Sequence, residues 1–195
     1  MILYFDTETT GLYPGQICQL SYVMQDKNGE RAKNFFFTVN AVEYGALAVH
    51  GLSMQLLKKL SGGKTFADFI DEIERDFLSA DIVIAHNLSF DFSFMREEFL
   101  RCDKVFCVKD DFCSMKNSVG LCKIPRRGGG YKYPKLSELT GHFFITDIEI
   151  RKAAEKLFGD ASGYHDARFD TAALYLAVNC AIQEEKAMEK LKELL

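Results

Sequence analysis

Apolar and polar positions along the chain follow two different periods in alternating blocks. Residues 2 to 5, Ile-Leu-Tyr-Phe, are an unbroken apolar run that leads into Asp6 and Glu8, which reads as a buried strand with carboxylates at its C-terminal end. Ile17 to Met24 and Asn34 to Val39 are rich in β-branched and aromatic residues, and Asp26-Lys27-Asn28-Gly29 between them signals a turn. The opening therefore predicts a three-stranded antiparallel meander. Phe66, Phe69, Ile70, Ile73 and Phe77 recur at helical spacing and mark the face of a helix that packs on the sheet. Ile82 to Ala85 predicts a fourth strand, followed by a polar turn and a helix from about Phe90 to Arg101, with a fifth strand expected near Val105 to Val108. Phe169, Ala172, Ala173, Leu176, Ala177 and Cys180 repeat the helical spacing, which continues into a charged amphipathic helix over residues 183–195. Strands first and strand–helix alternation afterwards place the chain in the α/β class, with a mixed central sheet of about five strands flanked by helices. No repeat or linker divides it, so residues 1–195 read as one domain.

Composition agrees with that picture. With 48% hydrophobic residues and 17 Phe against 14 Gly and 3 Pro, the chain has material for a core and few marks of disorder. No run of about 18 predominantly apolar residues is present, which excludes a membrane-spanning helix. An acid arrives at Asp6 with no basic region before it, so no targeting leader is expected and the mature chain is expected to begin at Met1. The six cysteines, 18, 102, 107, 113, 122 and 180, contain no CxxC pair and no zinc spacing, which fits reduced thiols and a cytoplasmic location. Net charge, 24 Lys+Arg against 28 Asp+Glu or −4, gives no general attraction for nucleic acid, so any such contact must come from a local site.

Three groups of acids stand out. Asp6 and Glu8, two residues apart on a strand, share one face while Phe5 and Thr7 take the other; they are either solvated loop acids or a pair that a divalent cation would neutralise. His86-Asn87-Leu88-Ser89-Phe90-Asp91 lies where the fourth strand gives way to a helix, with Asp91 in the first turn, favoured there by the helix dipole; it is either a carboxylate set beside Asp6 and Glu8 or plain helix N-terminal chemistry with Ser89 as cap. His165 precedes Asp170 by five residues, about 140° apart on a helix, so the two converge only if His165 sits in the preceding loop. Otherwise His165 is a surface residue near a helix start. His50, His86 and His142 read as structural or as neighbours of a substrate.

Taken together, DTETTGL at 6–12, AHNLSFD at 85–91 and HDARFD at 165–170 resemble the three motifs of the DnaQ-like, or DEDDh, 3′ to 5′ exonucleases. Val49-His50-Gly51 and Lys135-Leu136-Ser137-Glu138-Leu139 extend the likeness over nearly the whole chain, which looks most like the proofreading subunit or domain of bacterial replicative DNA polymerases. The resemblance implies a ribonuclease-H-like fold. It implies that Asp6, Glu8, Asp91 and Asp170 hold two divalent ions, Mg²⁺ or Mn²⁺, that His165 is the general base, and that nucleoside 5′-monophosphates are released from DNA 3′ ends. RNA trimming of the ribonuclease T or oligoribonuclease kind is the alternative, and an inactive nucleic-acid or polymerase-binding module a third reading. Leu12 matches the family's wedge against the terminal base, and Thr9, Gly11, His50, Asn87 and Phe90 are further expected substrate contacts. The partners implied are a single-stranded or frayed DNA 3′ end and a DNA polymerase subunit, with no membrane. The chain has no room for a polymerase domain, so it is expected to act alone or as a separate subunit. One departure is an extra helix-like stretch, Ile148 to Phe158. The Gly128-Gly129-Gly130 run lacks phosphate-loop spacing and reads as a flexible loop, but Lys123, Arg126, Arg127, Lys132 and Lys135 around it, with Tyr131 and Tyr133, make it either a solvated loop or a nucleic-acid contact.

Overall fold

A computed structural model of the chain describes residues 1–160 and 163–184. The first three strands are β1 (Ile2–Thr9), β2 (Ile17–Asp26) and β3 (Gly29–Phe36), and they form the expected antiparallel meander. Then follow α1 (Tyr44–His50), α2 (Met54–Ser61), a 3₁₀ turn (Phe66–Phe69), α3 (Ile70–Ser79) and β4 (Ile82–Ala85). The rest is α4 (Leu88–Arg101), β5 (Asp111–Cys113), the short α5 (Ser114–Asn117) and α6 (Val119–Cys122), α7 (Leu136–His142), α8 (Asp147–Phe158) and α9 (Ala167–Glu184). The amphipathic helix expected over residues 183–195 lies almost wholly outside the described residues.

The sheet runs in the order β3-β2-β1-β4-β5, with β1 antiparallel to β2 and parallel to β4. Central β1 buries both faces, as its unbroken apolar run requires. Leu3 and Phe5 point into a cluster with Ile73 and Phe77 of α3 and Phe92, Met95 and Phe99 of α4. Ile2 and Tyr4 point the other way, against Leu174, Val178 and Ala181 of α9. Helix α8, which contains the helix-like stretch expected over Ile148 to Phe158, backs α9 through Ile150 and Ala154 against Phe169, Ala172 and Ala173.

Three local expectations are corrected. β3 begins at Gly29 instead of Asn34, because Lys27-Asn28 is a two-residue turn across which Asp26 pairs with Gly29; as an edge strand, β3 accepts Glu30, Arg31 and Lys33 without the apolar pattern that marks an inner strand. The fifth strand is Asp111–Cys113, not Val105 to Val108. There only Phe106 is buried, as an aromatic plug against Phe77, Phe92 and Phe99. Helix α4 is not capped by Ser89: its N-cap is Asn87 in the left-handed region (φ 66°), and Ser89 lies inside the first turn. Among the described residues no helix is long and apolar enough to cross a membrane.

Candidate active site

β1 outruns its neighbour on one side. Its ladder with β4 ends at the Tyr4–Ile84 pair, while its ladder with β2 continues to Thr9. The last turns of β1 therefore project beyond β4, where the chain leaves for α4. Asp6 and Glu8 extend the Ile2/Tyr4 face toward α9, and Thr7 extends the Leu3/Phe5 face toward α4.

Each flanking helix adds one acid from its first turn: Asp91 from α4 and Asp170 from α9. Thr7 Oγ1 donates to Asp91 Oδ1 at 2.7 Å. His165 lies in the loop before α9 with φ 67°, an uncommon conformation for a residue with a side chain, and its backbone N–H donates to Asp170 Oδ2 at 2.9 Å. That loop placement is what the five-residue spacing required. Ligand-type atoms of Glu8, His165 and Asp170 all lie within 4.8 Å of one another.

These residues line one cavity of about 420 Å³, together with Thr9, Gly11, Leu12, His50 and Phe90. Of the expected contact residues, only Asn87 lies outside its lining. Leu12 is 80% exposed at the mouth, whereas Phe90 also packs on Phe94. No lysine or arginine lines the cavity among the described residues.

Buried carboxylates without a counter-charge hold their protons. Burial, followed by the charges of Asp170, Asp91, Glu8 and Asp166, pushes Asp6 well above the ordinary carboxylate range. Glu8 is raised to about 8 by burial and by Asp170, Asp166 and Asp91. Burial raises Asp91 to about 7 against the opposing Thr7 hydroxyl. Asp170 reaches about 7 by burial, opposed by the His165 N–H and reinforced by Asp166. Such a set of oxygen donors fits a hard divalent cation.

The surrounding polar residues explain how the acids are held, and most were not legible as site residues. His50 Nδ1 accepts from the Leu52 N–H at 3.0 Å, so its Nε2 carries the proton donated to the Thr9 carbonyl at 3.1 Å. His50 thus ties α1 to the end of β1 as a neutral ring, and its burial lowers its pKa accordingly. His86 Nε2 likewise donates to the Pro134 carbonyl at 3.0 Å, with Ser114 Oγ 3.0 Å from Nδ1. His142 is exposed against Phe143 and belongs to neither network. Asp166 accepts from Gln19 and, through both oxygens, from Arg168, which fixes the turn that carries His165. Glu43 crowds Gly11 so closely that a Cβ there would sit 2.4 Å from its carboxyl carbon. The D-x-R spacing of Asp166 and Arg168 was the one sequence signal available for these supports.

A mixed five-stranded sheet with acids from its central strand and both flanking helices gathered at one end has a ribonuclease-H-like architecture, and the likeness to the DnaQ-like exonucleases is borne out. The chain is similar to the DNA polymerase III subunit epsilon of Rickettsia felis, 33% identical over 102 residues that cover 49% of this chain and 43% of that one. It is also similar to the DNA polymerase III subunit epsilon of Salmonella typhimurium, 28% identical over 131 residues covering 62% and 52%. The chain thus spans about half the length of the curated relatives it matches. In fold it is similar to a metal-free crystal structure of an E. coli ExoI–ssDNA complex, with a TM-score of 0.68 over 98% of this chain and 42% of that one, at 15% identity. No family model matches the chain.

Proposed function

We propose that the chain is a metal-dependent 3′ to 5′ exonuclease that releases nucleoside 5′-monophosphates from DNA 3′ ends. The observation that carries this reading is the convergence of Asp6, Glu8, Asp91, Asp170 and His165 on one cavity that no lysine or arginine lines among the described residues. Asp6, Glu8, Asp91 and Asp170 would hold two divalent ions, Mg²⁺ or Mn²⁺. When bound, such ions lower the pKa of water and neutralise a departing alkoxide. Asp91 is oriented by the Thr7 hydroxyl and Asp170 by the His165 N–H, and both carboxylates line the cavity where cations would sit. His165, mounted on a loop, takes the proton of the attacking water. Leu12 at the mouth wedges the terminal base, and Phe90 with the Thr9–Gly11 turn forms the floor for its nucleotide. His50 acts on substrate only through the Thr9 carbonyl it holds.

The epsilon-subunit relatives support a DNA substrate and a polymerase subunit as partner. The test is digestion of 5′-labelled DNA and RNA oligonucleotides, single-stranded and with mispaired 3′ ends, in Mg²⁺, Mn²⁺ and EDTA. A metal-dependent ladder shortening from the 3′ end, faster on DNA, is expected. Faster cleavage of RNA would make the chain an RNA-trimming enzyme, and no cleavage of any substrate would refute the nuclease reading.

A further inference from the structure

Residues 123–133, Lys-Ile-Pro-Arg-Arg-Gly-Gly-Gly-Tyr-Lys-Tyr, do not form the flexible loop that their glycines suggest. Pro125 and Tyr131 form an antiparallel bridge, and the Lys132 N–H donates to the Ile124 carbonyl at 3.0 Å. The Arg126 N–H donates to Gly130 O at 3.0 Å, and the Gly129 N–H to Arg126 O at 3.1 Å. Gly128, Gly129 and Gly130 have φ of 94°, 100° and 73°, which glycine adopts at little cost, so the run closes a narrow hairpin arm.

The root of the arm is fastened and its tip is not. Lys132 is committed to Glu138 of α7 at 2.6 and 2.7 Å, and His86 holds the Pro134 carbonyl. At the tip, Arg126 and Arg127 are exposed and have no ion-pair partner among the described residues. Tyr131 and Tyr133 are 50% and 59% exposed. Tyr133, Pro134 and Lys135 wall a second cavity of about 630 Å³ whose other side is Asp6, His165 and Asp170. The two cavities share Asp6, His86, His165 and Asp170, so the second adjoins the first and offers a strand a way out.

We propose that this hairpin is a strand-holding arm: Arg126 and Arg127 take backbone phosphates, and Tyr131 and Tyr133 stack on unpaired bases, of a single-stranded nucleic acid whose 3′ end lies among the acids. The proposal rests on the nuclease reading above and adds the path of the strand. A polyanion approaching an acidic cavity on a chain of net charge −4 needs local positive charge, and the arm supplies it beside the exit. The pairing of Pro125 with Tyr131 and of Arg126 with Gly130 puts the two arginines at the tip, farther along the arm than Tyr133 at the cavity wall, so they meet phosphates upstream of the terminal nucleotide. Phosphates and base faces are common to DNA and RNA, and the arm serves either without reading sequence.

The experiment measures binding of 5′-fluorescein oligothymidylate and oligouridylate of 2, 4, 8 and 16 nucleotides by anisotropy, with Ca²⁺ present, across a salt series. Wild-type affinity is expected to rise with length. Arg126→Ala/Arg127→Ala should weaken binding of the 16-mers by about 25-fold at 0.1 M salt and flatten the slope of log affinity against log salt by about 1.4, from about 0.7 per phosphate contact. Arg126→Lys/Arg127→Lys should restore the slope, and Tyr133→Ala should weaken the 16-mers about fivefold or more with the slope unchanged. A double-alanine variant with the wild-type slope overturns the proposal, as does a wild type that binds 16-mers no tighter than dinucleotides. A loss confined to one sugar overturns the phosphate-and-stacking account. Cleavage assays separate the two readings: a wild type that binds with this length and salt dependence yet hydrolyses nothing sinks the nuclease reading and leaves the arm.

Discussion

The hydroxyl of Thr7 and the carboxylate of Asp91 meet at 2.7 Å across 84 residues of sequence, where the overhanging end of β1 faces the first turn of α4. Thr7 is buried, and its bond opposes the burial that raises Asp91 to about 7. Thr7→Val keeps the shape and removes the donor. Metal affinity or turnover should fall by about 10- to 100-fold, the usual scale for a residue that orients a metal ligand. Isothermal titration with Mn²⁺ alongside a cleavage assay measures it, and unchanged values on both would show that Asp91 is oriented by its helix alone.

Asp6→Asn should abolish hydrolysis while stabilising the metal-free protein. The substitution keeps side-chain size and removes a charge that burial and four neighbouring acids disfavour. In EDTA at pH 8 its melting temperature should rise by about 2–4 °C, the shift expected for about 1 kcal/mol in a domain of this size. Mn²⁺ should then stabilise the variant less than wild type. A variant that turns over at the wild-type rate would remove Asp6 from the site.

For His165→Ala, the expected result is a chemical step about 10² to 10⁴ slower with little change in Mn²⁺ affinity. Single-turnover kinetics and metal titration separate the two quantities. Because Glu8, His165 and Asp170 lie within 4.8 Å of one another, a variant defective only in metal affinity would make His165 a ligand instead of a base.

Stability of the metal-free protein should fall as pH rises. Glu8, Asp91 and Asp170, with folded pKa values of about 8, 7 and 7, bind protons more tightly folded than unfolded. Between the ordinary carboxyl range near 4 and about 8 the folded chain therefore holds the extra protons, and the slope of stability against pH is negative there. Below that range the cost vanishes, and above it the cost is complete. Urea unfolding in EDTA from pH 5 to 8.5 should show the decline, and saturating Mg²⁺ or Mn²⁺ should flatten it. A flat profile in EDTA would mean that the acids are better solvated than their burial implies.

His50→Ala should cost about 1–3 kcal/mol of stability, since it removes two hydrogen bonds that join α1 to β1. Thermal melts check this. The pH dependence of the chemical step should survive, because His50 is a neutral strut and the proposed base is His165; loss of that dependence would reverse the two roles.

The sequence by itself determined most of the elements and which acids stand at their ends. An apolar run from Ile2 to Phe5 ending in Asp6 and Glu8 can be satisfied only as a central strand buried on both faces. The Phe66–Phe77 periodicity fixes the helix face that meets that sheet; the Phe169–Cys180 spacing marks a helix, but Phe169, Ala172 and Ala173 pack on α8 while Leu174, Val178 and Ala181 meet the sheet. Such patterns are legible because they arise from interactions within a few residues. Edges were less legible: β3 and β5 are short or half-solvated and carry little apolar signal, so their bounds shifted. Only the tertiary structure decided that Asp91 and Asp170, on opposite faces of the sheet, reach the same cavity. That depends on β1 running past the end of β4, a register set by pairing partners about 80 residues apart. It also decided that Thr7, Asp166, Gln19 and His50 hold the acids and His165 in place. Their partners lie far along the chain or depend on a single strained φ, and neither leaves a periodic trace in the sequence.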